Sequence, residues 1–167
     1  MLGENMSEQQ KIPALATLEE IAGLLRRNDR LMGIDLGTKT IGLALSDVER
    51  RLASPLETIK RLKYSADVAK MLDLADRHGV TAFVIGLPLN MDGSEGPRAQ
   101  STRAFVRQTS GLARRPFVFW DERLSTAAVT RELIAQDVSR AKRAEVVDRM
   151  AAAYILQGAL DRLARLS

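Results

Sequence analysis

Two short apolar runs open the patterned part of the chain. Leu31, Met32, Gly33 and Ile34 lead into Asp35, and Ile41, Gly42, Leu43, Ala44 and Leu45 return from it, with Gly37-Thr38-Lys39-Thr40 between them. Apolar runs of strand length around a glycine-containing turn predict a β-hairpin with its tip at 37–40. A third strand is predicted over 53–60. The period then becomes helical: over 64–78, Val68, Met71, Leu72 and Ala75 fall on one face, and Gly79 stands where a helix would stop. Residues 81–87 form an apolar run suited to a buried parallel strand. Turn formers fill 88–97 (PLNMDGSEGP), 98–110 reads as a helix, 116–120 as a strand of bulky residues, and 125–135 and 141–166 as helices. Upstream, Thr17-Leu18-Glu19-Glu20 has the form of a capping box, followed at helical spacing by Ile21, Leu24 and Leu25. That predicts a short helix to about residue 27. The first dozen residues read as disordered. Hairpin-connected strands followed by strands alternating with helices predict an α/β sandwich on a mixed sheet.

Composition narrows this picture. At 167 residues and 46% hydrophobic content the chain suits one globular domain with a sizeable core, too small for two large lobes. Cysteine is absent, which excludes disulfides and thiolate metal sites. The one histidine, His78, leaves no room for a multi-histidine centre and is read as part of the last turn of its helix. A metal here would be held by oxygen, which favours magnesium or manganese. The polar start of the chain lacks the apolar core of a signal peptide, and no apolar run is long enough to span a bilayer. A soluble, cytoplasmic protein is expected. The net charge of +4 is unevenly placed: residues 1–97 carry 12 Lys+Arg against 14 Asp+Glu, and residues 98–167 carry 13 against 7. In the second stretch nearly every cation is arginine, whose fork matches phosphate oxygens. A nucleic-acid surface and a solvated helical face both fit that pattern.

Three places supply carboxylates that could do chemistry. Asp35 ends a core strand, where an ionised group is costly unless cations or donors compensate it; capping the turn backbone is its simpler role. Asp121 and Glu122 follow the strand PFVFW, and alternation sends them to opposite sides, so one of the two can face Asp35. Asp148 lies on the last helix, ahead of Ala151, Ala152 and Ala153, small residues that let a helix approach a sheet. On spacing alone a solvent-facing pairing with Arg143 or Arg149 is the favoured reading for it. Trp120 has no aromatic series beside it and is assigned to the core.

Four segments together resemble a known family. They are D-x-G-x-K-x-x-G (Asp35, Gly37, Lys39, Gly42), VIGLPLNMDG (84–93), DERLST (121–126) and VDRMAA (147–152). In this order they resemble the YqgF family of bacterial nucleases, also described as RuvX or Holliday-junction-resolvase-like proteins, within the ribonuclease H-like superfamily. The resemblance runs from residue 31 to residue 166. It implies a nuclease domain at 31–167 preceded by an N-terminal extension, 1–30, with a short helix. It also implies a five-stranded mixed sheet, its first three strands antiparallel, flanked by helices. Carried over, the catalytic and metal-binding carboxylates are Asp35, Glu122 and Asp148, holding Mg2+ (or Mn2+) for a two-metal hydrolysis of phosphodiesters. The same resemblance suggests substrate contacts for Lys39, Asn90 and Arg123; an exposed turn lysine is an equally ordinary role for Lys39, and a pairing with Glu122 is equally open for Arg123, whereas Ser125 and Thr126 read as helix caps.

The implied activity is maturation of the 5′ end of the small-subunit (16S) rRNA precursor by a metal-dependent nuclease. The partners are then nucleic acid, either pre-rRNA or branched DNA, and ribosomal particles, with the protein a monomer or weak homodimer and no membrane involved. Holliday junction cleavage is the neighbouring reading, and a non-catalytic RNA- or ribosome-binding module is a third. The segment GIDLGT (33–38) also resembles the first phosphate motif of actin-like ATPases and sugar kinases, but those need a second lobe that this length does not supply.

Overall fold

A computed structural model describes residues 14–124 and 140–166, with side chains in the last helix from Val147 onward. The expectations for the first dozen residues, for a helix over 125–135 and for caps at Ser125 and Thr126 lie outside the described residues. In chain order the elements are α1 (Leu18–Leu24), β1 (Arg30–Leu36), β2 (Thr40–Ser46), β3 (Ala53–Lys60), α2 (Tyr64–Arg77), β4 (Val80–Leu87), α3 (Pro97–Ala113), β5 (Phe117–Asp121), a 3-10 turn (Glu122–Leu124) and α4 (Arg140–Leu166).

The strands form one sheet in the order β3-β2-β1-β4-β5. β1, β2 and β3 are antiparallel, and β4 and β5 run parallel to β1. This is the mixed five-stranded sheet that the sequence predicts. Period-two alternation divides the core in two. Leu31, Ala44, Ala82, Val84, Val118 and Trp120 face α1 and α4. Met32, Ile34, Leu36, Ile41, Leu43, Phe83, Ile85 and Phe117 face α2 and α3. Both faces of β1 and β4 are covered, which is why these strands read as continuous apolar runs.

Local signals set several boundaries. The Thr17 hydroxyl accepts the Glu20 N–H and the Glu20 carboxylate accepts the Thr17 N–H, closing the capping box. α1 nevertheless ends at Leu24, because Leu25 is already extended. α2 stops at Arg77 with His78 as its cap residue, and Gly79 takes the left-handed conformation (φ +66°) that favours glycine. On α2 it is Leu74, with Val68, Met71 and Ala75, that is buried, while the expected Leu72 is only half-buried. α3 begins at Pro97, a favoured first helical residue, and runs to Ala113, three residues beyond the expected end. Upstream of α1, the Ala16 N–H donates to the Phe117 carbonyl (2.9 Å) and the Phe117 N–H to the Ala14 carbonyl (3.0 Å), so residues 14–16 lie along the outer edge of β5. No helix among the described residues is long and apolar enough to cross a membrane.

Candidate active site

The C-terminal ends of β1, β4 and β5 lie along one edge of the sheet, and the carboxylates gather there. Asp35 is opposite Gly42 in the β1–β2 ladder, and directly opposed residues share a face. That face is α4's. A side chain at Gly42 would run into the main chain of α4 at Asp148, and one at Gly33 would meet the Ala152 carbonyl oxygen at 2.7 Å and Leu156 Cβ at 2.8 Å. Glycine inside a strand commonly marks such a backbone approach. Asp35, two residues after Gly33, therefore points toward α4, and it is only 2% exposed.

Asp148 faces the same place rather than open solvent. Its Oδ2 accepts a hydrogen bond from the Thr40 hydroxyl and lies 3.2 Å from where a Cβ on Gly37 would stand. The hairpin tip beneath it is closed by the Gly37 N–H donating to the Thr40 carbonyl (2.8 Å) and by the Arg61 N–H donating to the Lys39 carbonyl (2.8 Å). Lys39 itself is exposed at that tip.

Alternation along β5 separates the neighbouring pair. Val118 and Trp120 face α4, while Phe117 and Phe119 pack on the opposite side, and Asp121 continues their phase. Glu122 follows the strand, is buried, and sets its Oε1 3.0 Å from where a Cβ on Gly86 would be. Gly86 is one residue beyond the Ile34–Ile85 pairing and so lies beside Asp35 on β4. Asp148 over β2, Asp35 on β1 and Glu122 over β4 thus make a row across three adjacent strands, spanning roughly 10 Å at the usual interstrand spacing.

Asp121 belongs to a different arrangement. Its carboxylate takes Arg123 Nη2 at 2.7 Å and Nε at 3.0 Å, and this guanidinium holds the carboxyl below its usual range while the arginine is pushed up in return. Arg123 Nη1 also donates to the Met91 carbonyl (3.2 Å). The loop it touches is self-supporting. The Asn90 amide donates to Ser94 Oγ (3.0 Å), and the Asp92 carboxylate accepts both the Ser94 hydroxyl (2.6 Å) and its N–H (2.9 Å), which lower the Asp92 pKa. Asn90 and Arg123 thus fix the 88–96 loop beside the row, and Lys39 stands at its other end. Trp120 is in the core, against Gly158.

Carboxylate oxygens are the donors that magnesium and manganese take. Among the described residues no three of His, Asp or Glu stand close enough together, as they are, to hold one ion. The row fits such ions in donor type and in sharing one face, but it is not a closed cluster. Four residues that carry no acid shape its geometry. The strand glycines Gly33, Gly42 and Gly86 carry the signal of glycine in a strand interior, whereas the Thr40 contact to Asp148, 108 residues away, leaves no local trace.

A mixed sheet in this order, with helices on both faces and acidic groups at the ends of β1 and β5 and on the last helix, defines the ribonuclease H-like class of fold. The structure of Thermus thermophilus RuvC in complex with a Holliday junction substrate superposes with a TM-score of 0.52 at 15% identity, covering 81% of this chain and 96% of that one. This likeness shows the fold. A family model described as "RuvX: Holliday junction resolvase" matches residues 29–162, and the chain belongs to that family. A protein of Beijerinckia indica named "Putative pre-16S rRNA nuclease" is 71% identical over 147 residues, 88% of this chain and 89% of its own length. A protein of Methylocella silvestris with the same name is 68% identical over 154 residues, 90% of this chain and 96% of its own.

Proposed function

We propose that the protein is a metal-dependent nuclease that hydrolyses phosphodiester bonds in maturing the 5′ end of the 16S rRNA precursor, in the cytoplasm, as a monomer or weak homodimer. The nuclease domain is 31–167, and 1–30 is an extension attached to it. The observation that carries this reading is the row Asp148, Asp35 and Glu122 on the α4 face of the sheet. The names of the relatives support the choice of substrate.

Asp35, Glu122 and Asp148 are the groups that would hold Mg2+ or Mn2+. Bound there, two such ions supply an activated water and stabilise the leaving oxygen. The chain's own contribution is rigidity. Asp35 is fixed by a strand buried on both faces, Asp148 is turned inward by the Thr40 hydroxyl, and Glu122 is seated over Gly86. Such preorganisation matters because misplacement by about 1 Å costs on the order of a hundredfold in rate. Lys39, exposed at the hairpin tip, meets substrate phosphate. Asn90 and Arg123 act on substrate through the loop they hold.

The test is cleavage by purified protein with magnesium, offered a 16S rRNA precursor fragment and a four-way DNA junction in parallel. Cutting of the RNA near the mature 5′ end, abolished in Asp35→Asn with the fold intact, is the expected result. The family model's description favours the junction as second substrate, and cutting of the junction alone would replace the rRNA reading with resolvase activity. Magnesium-independent RNA binding without cutting of either would make the protein a binding module.

A further inference from the structure

Many arginines on the described surface are engaged by carboxylates. Arg77 pairs with Asp73, Arg103 with Glu95, Arg115 with Asp76 and Arg162 with Glu19, in addition to Arg123 with Asp121. At the turn that follows Asp35 the pattern differs. Arg61 Nη1 donates to the Gly37 carbonyl (2.7 Å) and Arg98 Nη2 to the Leu36 carbonyl (3.4 Å). Neither has a carboxylate partner among the described residues, and both are exposed.

A carbonyl orients a guanidinium without neutralising it. Each arginine has five N–H donors in a fixed fork, so the remaining donors and the full charge face outward. The two come from opposite sides of the site: Arg61 directly follows β3, and Arg98 lies in the first turn of the helix that follows β4. They tether to the two consecutive residues after Asp35. The carboxylate row by itself repels a polyanion, so a nucleic-acid strand approaching it needs fixed positive charge at its rim.

We propose that Arg61 and Arg98 are phosphate-binding residues that seat a nucleic-acid strand over Asp35, one on each side of the hairpin turn. This rests on the nuclease reading and adds the residues that hold its substrate. Their tethering makes the bound geometry partly prepaid, because each fork is already oriented.

The experiment measures binding of a labelled 16S rRNA precursor fragment by Asp35→Asn protein, which leaves the probe uncut, across a series of salt concentrations. Arg61→Gln and Arg98→Gln keep an N–H for the carbonyl and remove the charge. Each is expected to weaken binding about tenfold and to lower the slope of log affinity against log salt by about 0.7–1, the value of one lost phosphate contact. Arg77→Gln, at the ion pair with Asp73, should leave both unchanged. A purely structural role would leave the slope where it is. An unchanged slope in both variants, in a parent that binds, overturns the proposal and leaves the nuclease reading to its own cleavage test. A parent that binds no RNA overturns the proposal together with that reading.

Discussion

Replacing Gly42 by alanine tests whether the seat of α4 on the sheet is what builds the site. A Cβ at this position falls inside van der Waals contact of the Asp148 carbonyl group and 2.7 Å from the Arg149 nitrogen. These are main-chain atoms of a helix, so no side-chain rotation relieves the overlap, and α4 must lift by on the order of 1 Å. Overpacking of this kind costs about 1–3 kcal/mol. Alanine recovers about 0.5–1 kcal/mol because it loses less chain entropy than glycine on folding. A net loss of about 1–2 kcal/mol is expected in urea unfolding, or about 2–4 °C in Tm for each kcal/mol at this chain length. Lifting α4 carries Asp148 away from Asp35, so cutting should fall further than stability does, by about a hundredfold. Gly111→Ala, on α3 with nothing within 4 Å of the added carbon, is the internal control and should gain up to about 1 kcal/mol. A Gly42→Ala protein that keeps both its stability and its cutting rate would refute the reasoning.

Two further outcomes follow from the same geometry. Asp121→Asn removes the partner of a half-exposed arginine, so it should cost no more than about 1 kcal/mol and leave cutting within a few-fold, whereas Glu122→Gln should reduce cutting about a hundredfold or more; the reverse ranking in a cleavage assay would move the third carboxylate to Asp121. Asp47 accepts the N–H groups of Leu52 (3.1 Å) and Arg51 (2.7 Å), bonds that hold its carboxyl below the ordinary carboxylate range. Its contribution to stability is therefore full above the unfolded-state value and lost as pH falls through the folded-state one. Urea midpoints measured from pH 6 downward should decline less steeply in Asp47→Asn, and superimposable acid limbs would dismiss this linkage.

The strands and their order in the chain were legible because the hydrophobic period changes cleanly from two to about 3.6 residues. The β3 limits agree residue for residue, and the capping box at Thr17 and the stop at Gly79 are local chemistry that needs no tertiary context. The phase of a strand is less accessible. Sequence alone puts Asp121 and Glu122 on opposite sides without saying which side is which, since that depends on the pairing of Gly86 with Trp120 across β4 and β5. On α2 the predicted inward Leu72 does pack, half-buried, against the core, and Leu74 is buried beside it; both lie near the edge of the apolar face, and the sheet beneath decides how deeply each is covered. Close packing of the last helix was half visible. Ala151, Ala152 and Ala153 announce it, while Gly33 and Gly42 give no sign in the sequence that α4 is what they admit. Arg61 and Arg98 were invisible as a pair, since 37 positions of chain separate them and their shared anchor is backbone.

If the proposed acids are the catalytic ones, the hydrogen bond from Thr40 to Asp148 also bears on when the protein becomes competent. Up to β5, the chain already contains all five described strands and the helices that cover one face, but the other face stays without α4 and Asp35 without Asp148. A partially synthesised chain therefore exposes a broad apolar sheet surface and carries an incomplete set of acids. Closing that surface and completing the acids are one event, the docking of the final helix. Folding to completion is in this sense the on-switch, and no fragment ending before α4 carries the full row.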